Sequence, residues 1–155
     1  MLPLVIKQIT FDQILPIWAQ YLWPERRSII EPVSAIDIDS NIDMGIFNFA
    51  DNAHYFAAFN NDQIIGVISG HLTKPNQCRL RGLFVMPEYR GQSVSRRLIE
   101  TELNHATELG CTQIWALIRT KNIGLFAKYE FKEHMLTNKY EFGPHYIVQR
   151  KIPQT

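Results

Sequence analysis

LFVMPEYRGQSVSRRLIE, residues 83–100, joins a short apolar run to a basic segment through a loop that holds one glycine. The run 83–85 is typical of a buried strand, and the residues from 93 onward have the spacing of an amphipathic helix. A loop between a strand and a helix presents free backbone N–H groups at the positive end of the helix dipole, which favours phosphate groups. The stretch therefore predicts an anion site at the start of the helix.

The residue types in this loop suit a pyrophosphate. Gly91 permits close approach of the backbone to a ligand, and Arg90 and Arg96 add positive charge at the same point. Ser93 and Ser95 offer hydroxyl groups in addition to their amides. The same residues also fit a plain helix start, in which Ser93 caps the helix and the arginines are solvated.

Length and composition restrict the class of protein. The chain has 155 residues, of which 46% are apolar and 20% charged, and this predicts one soluble domain over residues 1–155. A net charge of +1 gives no general attraction to nucleic acid or to a membrane surface. No apolar run approaches the roughly 20 residues of a membrane span, and the N-terminus lacks the features of a signal peptide. Cys78 and Cys111 have no metal-ligand spacing, so we interpret them as packing residues and expect a cytoplasmic protein without a metal.

Periodicity and turn residues predict an α+β fold around a mixed sheet. The predicted strands cover residues 4–9, 54–59, 63–70, 79–85, 111–118, 135–142 and 146–152. The predicted helices cover residues 15–22, 93–109 and 122–129. Pro16 would then lie in the first turn of the first helix, where proline is tolerated.

The stretch 83–91, followed by the helix that starts with Arg96-Arg97-Leu98-Ile99, resembles the acetyl-CoA-binding core of the Gcn5-related N-acetyltransferases, the GNAT superfamily. The signature of that superfamily is R/Q-x-x-G-x-G/A. The preceding hairpin, the strand 114–118 and the segment 125–131 resemble the remaining elements in the family's order. The resemblance implies the acyl-CoA N-acyltransferase fold, a mixed and mostly antiparallel central sheet flanked by helices.

The resemblance also implies an activity, the direct transfer of an acetyl group from acetyl-CoA to an amine of a small molecule or peptide. Backbone groups of the strand would hold the pantetheine arm and polarise the thioester carbonyl, and the loop would take the pyrophosphate. The cofactor-binding residues that the resemblance implies are Leu83, Phe84, Val85, Arg90, Gly91, Gln92, Ser93, Val94, Ser95, Arg96 and Asn122.

Two departures from the family pattern concern the cofactor. Ser93 and Ser95 stand where the family has small residues, mostly glycine, and their side chains narrow the space over the phosphates. At the third helix, one alignment register puts Phe126 in place of the tyrosine that commonly protonates the departing thiolate. A second register gives that role to Tyr129, and the match at Phe131 favours the first register.

The segment 23–31 mixes aromatic and charged residues, and in this superfamily the region contributes to the acceptor side. Trp23, Arg26 and Glu31 are the predicted acceptor-binding residues. An indole beside arginines suits an anionic or aromatic group. Acidic residues that would instead attract a cation follow at Asp37, Asp39 and Asp43.

The sequence singles out no general base for the amine. Glu31 and His71 are the candidates, and each also fits a solvent-exposed residue without a catalytic role. An alternative to the enzyme is a catalytically weak or inactive acyl-CoA-binding module on the same fold. A homodimer is compatible with the sequence.

Overall fold

The computed structural model describes residues 4–34, 36–40 and 52–153. These residues contain seven strands and three α-helices. The strands are β1 (Leu4–Ile9), β2 (His54–Asn60), β3 (Gln63–Lys74), β4 (Gln77–Val85), β5 (Gln113–Arg119), β6 (Lys132–Thr137) and β7 (His145–Lys151). The helices are α1 (Phe11–Ile17), α2 (Val94–Glu108) and α3 (Ile123–Ala127). No helix among the described residues is long and apolar enough to cross a bilayer.

The strands form one sheet in the order β1-β2-β3-β4-β5-β7-β6. Every neighbouring pair is antiparallel except β4 and β5, which confirms the predicted mixed, mostly antiparallel sheet. The parallel pairing runs only from Gln77 opposite Gln113 to Leu80 opposite Ala116. Beyond that point β4 and β5 separate, so the β5-facing edge of β4 has no strand partner from Gly82 to Val85.

The two faces of the sheet carry different side chains because successive residues of a strand point in opposite directions. One face, called here the α2 face, packs against α2 through Cys78, Leu80, Ile114 and Ala116. The other, called here the α1 face, lies under α1 and the segment 23–40. It carries Ser69, His71, Arg79, Arg81, Trp115, Leu117 and Ile147.

A bulge in β4 lies where its pairing with β5 has ended. Val67 pairs with Phe84 and Ser69 with Arg81, so β4 holds one residue more than β3 over this interval. Gly82 adopts a positive φ of 71°, and its carbonyl accepts a hydrogen bond of 2.9 Å from Trp18 Nε1. A Cβ on Gly82 would lie 2.4 Å from the Trp18 ring, so only glycine fits this bend.

The first helix starts earlier than the sequence predicts. Thr10 and Gln13 form a capping box, in which the Gln13 amide donates to Thr10 Oγ1 and the Thr10 amide donates to Gln13 Oε1. Pro16 therefore lies inside the helix, where it has no N–H to donate to the preceding turn. The next residues widen into a π-helical turn, Trp18–Leu22, which holds Trp18 over the bulge in β4.

The predicted strand 135–142 is also displaced, since β6 is Lys132–Thr137. The loop that follows is held by contacts to the segment 23–40 instead of by strand pairing. Tyr140 and Ser40 share a hydrogen bond of 2.7 Å, and the Glu141 carboxylate accepts from the amide and hydroxyl of Ser28. Phe142 has a φ of 74°, which is incompatible with an extended strand.

Candidate active site

A cavity of about 450 Å³ lies where β4 and β5 separate, a size within the range of small-molecule sites. Its walls are the ends of both strands, the start of α2, the turn before α3 and the end of the π-helical turn. Most of the predicted cofactor residues line it: Leu83, Phe84, Val85, Arg90, Gly91, Val94, Ser95 and Asn122. The sequence analysis did not single out Arg119, Lys121 or His145, which line it as well.

The start of α2 offers a row of free donors. Within the described part of the chain, no hydrogen bond uses the amide N–H groups of residues 91–96. Gly91 has a φ of 78° and no atom near the position of a Cβ, so the loop stays open above these amides. Free N–H groups at the positive end of a fifteen-residue helix are what the predicted anion site requires, and the site itself stays a prediction.

Ser93 does not cap the helix with its side chain. It adopts the left-handed conformation, with a φ of 66°, and makes no side-chain cap hydrogen bond. This conformation costs a residue other than glycine about 1–2 kcal/mol. The backbone at 93 thus keeps the geometry of a glycine, although the chain has a serine there.

The side chains of Arg90 and Arg96 make different contacts. Arg90 Nε donates to the Val85 carbonyl at 3.0 Å and its guanidinium stacks on Phe84, which fixes the end of β4. Arg96 is exposed and lies 3.9 Å from Glu100 on the same helix. The predicted cofactor residue Gln92 is also exposed, and its side-chain amide donates to the Glu88 carbonyl.

The third helix brings Phe126, and not Tyr129, to the cavity. Phe126 is buried and lines the wall together with Asn122. Tyr129 is half-buried against the core of the α2 face, and its backbone carbonyl accepts from Arg150. This placement agrees with the first of the two alignment registers.

The predicted acceptor residues differ in their relation to the cavity, which only Trp23 lines. Trp23 lines it, and the Arg26 guanidinium stacks on the Trp23 ring at 4.8 Å. Partial burial lowers the pKa of Arg26, although Glu141 and Glu31 act in the opposite direction. The Glu31 side chain is exposed, while its backbone carbonyl accepts a 2.7 Å hydrogen bond from Arg81. Asp43 lies outside the described residues.

His71 does not end a strand in solvent. Because β3 continues to Lys74, His71 is fully buried on the α1 face. Its Nε2 accepts from the Ser34 amide at 3.3 Å, and its Nδ1 donates to the Leu72 carbonyl at 3.2 Å. Burial and the adjacent Arg79 lower the pKa of His71 to about 3, so this imidazole is neutral at pH 7.

A pH dependence of stability follows from His71. Its folded-state pKa lies below the unfolded value, so the unfolded state binds more protons as the pH falls, and stability is lost from about 6.5 downward. Between pH 7 and pH 5 we expect a loss of about 2 kcal/mol in the free energy of unfolding from this residue. Urea unfolding at pH 7 and pH 5 measures this loss. In His71→Gln, whose side-chain oxygen can accept from the Ser34 amide, the loss in the free energy of unfolding should be smaller than in the wild type by about the same amount. An equal loss in both proteins would contradict the assignment.

His145, at the start of β7, is the titratable residue of the cavity wall that the sequence analysis missed. It is 7% exposed, and its Nδ1 has no hydrogen-bond partner of normal geometry in the described part of the chain. Burial lowers the pKa of His145, and the nearby Arg119 acts in the same direction. The imidazole is therefore neutral at pH 7 and can accept a proton. Only its long-range pairing with Arg119 of β5 brings it here, and no local pattern indicates that pairing.

Both cysteines are buried, as interpreted from the sequence, but they belong to a polar cluster on the α2 face. His54 Nε2 lies 2.6 Å from Glu102 Oε1, and Cys78 Sγ lies 3.5 Å from the same oxygen. These three side chains are close enough together to be considered as metal ligands. The short contact between His54 Nε2 and Glu102 Oε1 is that of a hydrogen-bonded pair, while Glu102 Oε2 has no partner among the described residues. None of these residues lines the cavity.

Comparisons with known structures agree with this geometry. Ard1 from Thermoplasma volcanium superposes with a TM-score of 0.73 at 16% identity, covering 97% of this chain and 99% of that chain. The ribosomal-protein-S18-alanine N-acetyltransferase from Escherichia coli superposes with a TM-score of 0.70 at 17% identity, covering 98% of this chain and 96% of that chain. An aminoglycoside 6'-N-acetyltransferase complexed with coenzyme A superposes with a TM-score of 0.72 at 14% identity, covering 97% of this chain and 98% of that chain. At these identities the likeness shows the fold.

Family membership follows from the sequence itself. The profile of the acetyltransferase (GNAT) family matches residues 15–131, which include the end of α1, the separated strands, α2 and α3. A search of curated proteins finds no match. The matched region spans most of the chain and contains the start of α2 where the free amides lie. The chain belongs to the acetyltransferase (GNAT) family.

Proposed function

We propose that this protein transfers the acetyl group of acetyl-CoA to an amine. The observation that carries the proposal is the row of free amides at residues 91–96 beside the unpaired edge of β4, with both bordering one cavity. The amides take the pyrophosphate, and the edge of β4 takes the pantetheine arm by strand-like hydrogen bonds. The coenzyme A bound to the similar aminoglycoside enzyme supports this cofactor.

The chemistry is one displacement with both substrates bound. The amine nitrogen forms a bond to the acetyl carbon, the carbon–sulfur bond breaks, and CoA leaves as a thiolate. Backbone N–H groups of residues 83–85 stabilise the oxyanion that develops on the thioester carbonyl. The nitrogen loses one proton in the process, so an unprotonated base must lie near it, directly or through water.

His145 is the base that the cavity provides. It borders the space between β4 and β5, it is neutral at pH 7, and a neutral imidazole has one ring nitrogen that can accept a proton. Glu31, the base candidate from the sequence, has an exposed side chain that is not part of the cavity lining, and we give it a role in acceptor binding with Trp23 and Arg26. We therefore assign His145 as the base that takes the proton of the acceptor amine.

In this arrangement α3 offers no phenol to the departing thiolate, because Phe126 and not a tyrosine lines the cavity wall there. A thiol is a fair leaving group, so water can protonate the sulfur and turnover is slower, not absent. We expect Phe126→Tyr to raise kcat by at least about threefold, a small part of what a general acid can contribute. Tyr129→Phe, the matched control, should change kcat by less than about twofold. A tenfold loss in Tyr129→Phe with no gain in Phe126→Tyr would give the acid role to Tyr129.

A catalytically weak or inactive acyl-CoA-binding module is the second candidate. The strained Ser93 and the missing phenol at Phe126 favour it. Release of free thiol from acetyl-CoA, measured with a panel of small amines and peptide N-termini, distinguishes the two. Amine-dependent thiol release supports the enzyme. Tight CoA binding in calorimetry without turnover of any amine supports the module.

A further inference from the structure

Four unsatisfied polar atoms belong to side chains of the α1 face. Among the described residues, five buried side-chain nitrogen or oxygen atoms have no hydrogen-bond partner. One of them, Glu102 Oε2, belongs to the cluster on the α2 face. The other four are Ser69 Oγ, Arg79 Nε, Arg79 Nη1 and His145 Nδ1. Buried polar groups are nearly always paired, so a concentration of unpaired ones on one face indicates a missing partner.

Two of the side chains on this face are buried cations. Arg79 is 6% exposed and Arg81 is 5% exposed. Arg79 stacks on Trp115 at 5.1 Å, and Arg81 lies over Trp18 and Trp23. No ion pair joins either guanidinium to a carboxylate of the described residues, and Glu31 attracts Arg81 only from beyond ion-pair distance.

The two arginines also act on each other. Burial lowers the pKa of Arg79 to about 9 and that of Arg81 to about 10, and mutual repulsion adds to the effect at Arg79. Both remain charged at pH 7. Buried water can satisfy the N–H groups but cannot neutralise the charge, and an uncompensated buried charge is strongly unfavourable. The missing partner is therefore an anion and not a solvent molecule.

The anion position borders the proposed acceptor site. Arg81 directly precedes Gly82, which lines the cavity, and Ser69 is its cross-strand partner. Arg79 is one position further along the same face of β4. His145 lines the cavity from β7 on this face, and Arg79 is near enough to act on the charge of its imidazole.

We propose that Arg79 and Ser69 bind the oxyanion of the acceptor, which makes the acceptor an amine that also carries a carboxylate or a phosphate. Nε and Nη1 of Arg79 each leave an N–H without a partner, so the guanidinium offers charge-assisted donors as well as charge. Ser69 supplies a hydroxyl donor, and Arg81 adds charge while its link to Glu31 holds it in place. This inference rests on the proposed acetyl transfer, because it names the substrate class of the same site.

Matched acceptors test the inference with the full chain. An amino acid is compared with its carboxamide, and phosphoethanolamine with ethanolamine, by thiol release from acetyl-CoA. We expect kcat/KM to favour an anionic acceptor by about 10- to 100-fold, the value of a charge-assisted hydrogen bond, with most of the difference in KM. In Arg79→Gln this preference should fall to near unity, while Arg150→Gln, a surface arginine paired with Glu130, should keep it. The pair that shows the larger preference in kcat/KM identifies whether the site binds a carboxylate or a phosphate.

Thermal unfolding in the presence of CoA gives a readout besides turnover. The anionic amine should raise the Tm of the wild type, its neutral counterpart should not, and Arg79→Gln should lose the rise. Without ligand, Arg79→Gln should keep or raise the Tm, because it removes an unpaired buried charge. A sharp fall in Tm together with an unchanged acceptor preference would show that the counterion belongs to the chain itself, and would overturn the inference.

The two proposals fail separately. Equal use of anionic and neutral amines would overturn the anion site and leave acetyl transfer standing. An Arg79-dependent rise in Tm with the anionic amine, but no turnover of any acceptor, would contradict acetyl transfer and support the anion site.

Discussion

Ser95→Glu should lower the affinity for CoA at least about 100-fold, because it sets a negative charge against the pyrophosphate and its free amides. Ser95 lines the cavity at the first turn of α2, and its own N–H is among the unused donors. Titration calorimetry with CoA measures the effect directly. The substitution replaces a small hydroxyl group by a longer, charged side chain, so a control must separate the effect of size from the effect of charge.

Ser95→Gln provides that control, since it has the shape of the glutamate without the charge. We expect Ser95→Gln to lose less than about tenfold in affinity, because it adds bulk but no repulsion. Circular dichroism and thermal unfolding establish that both variants fold. A folded Ser95→Glu with wild-type affinity would remove the pyrophosphate from the start of α2.

His145→Asn should lower kcat by about 10² to 10³ while CoA affinity stays within about twofold, because the amine loses its proton acceptor. Asparagine keeps a polar atom near the position of Nδ1 but cannot take a proton at neutral pH. The pH profile supplies a second readout. The wild-type rate should fall on the acid side with an apparent pKa below the ordinary value of histidine, as burial of His145 dictates, and the variant should lose that limb.

Glu31→Gln is the comparison that separates the two base candidates. If Glu31 binds the acceptor, its amide variant should raise the acceptor KM and keep the acid limb of the profile. A His145→Asn enzyme with full kcat, or a Glu31→Gln enzyme without the acid limb, would return the base role to Glu31.

The cofactor loop could be predicted from the sequence because its physics is local. A strand, an open loop with Gly91 and an amphipathic helix are all encoded by neighbouring residues, and together they place free amides at one point. Gly82 shows where local reasoning ends. Its need for a positive φ comes from Trp18, which lies 64 positions away along the chain.

The acceptor side could not be predicted in the same way. The pairing of β3 with β4 places Arg79 and Ser69 on one face, and the antiparallel pairing of β7 with β5 adds His145 to that face. His71 was misplaced because the predicted strand stopped at Gly70, whereas β3 continues to Lys74 and buries the ring. Whether a residue such as His71 lies on a buried face of the sheet depends on where its strand ends, and local sequence patterns define strand ends least well.

Amide NMR spectra with CoA, and with pantetheine as the matched ligand without a pyrophosphate, test the central claim most directly. Both ligands should shift the amides of residues 82–85 along the unpaired edge of β4. Only CoA should produce large downfield shifts at residues 91–96, where the free N–H groups gain phosphate acceptors. Shifts that require the pyrophosphate but fall elsewhere in the chain, with residues 91–96 unchanged, would contradict the assignment of this cavity to acetyl-CoA.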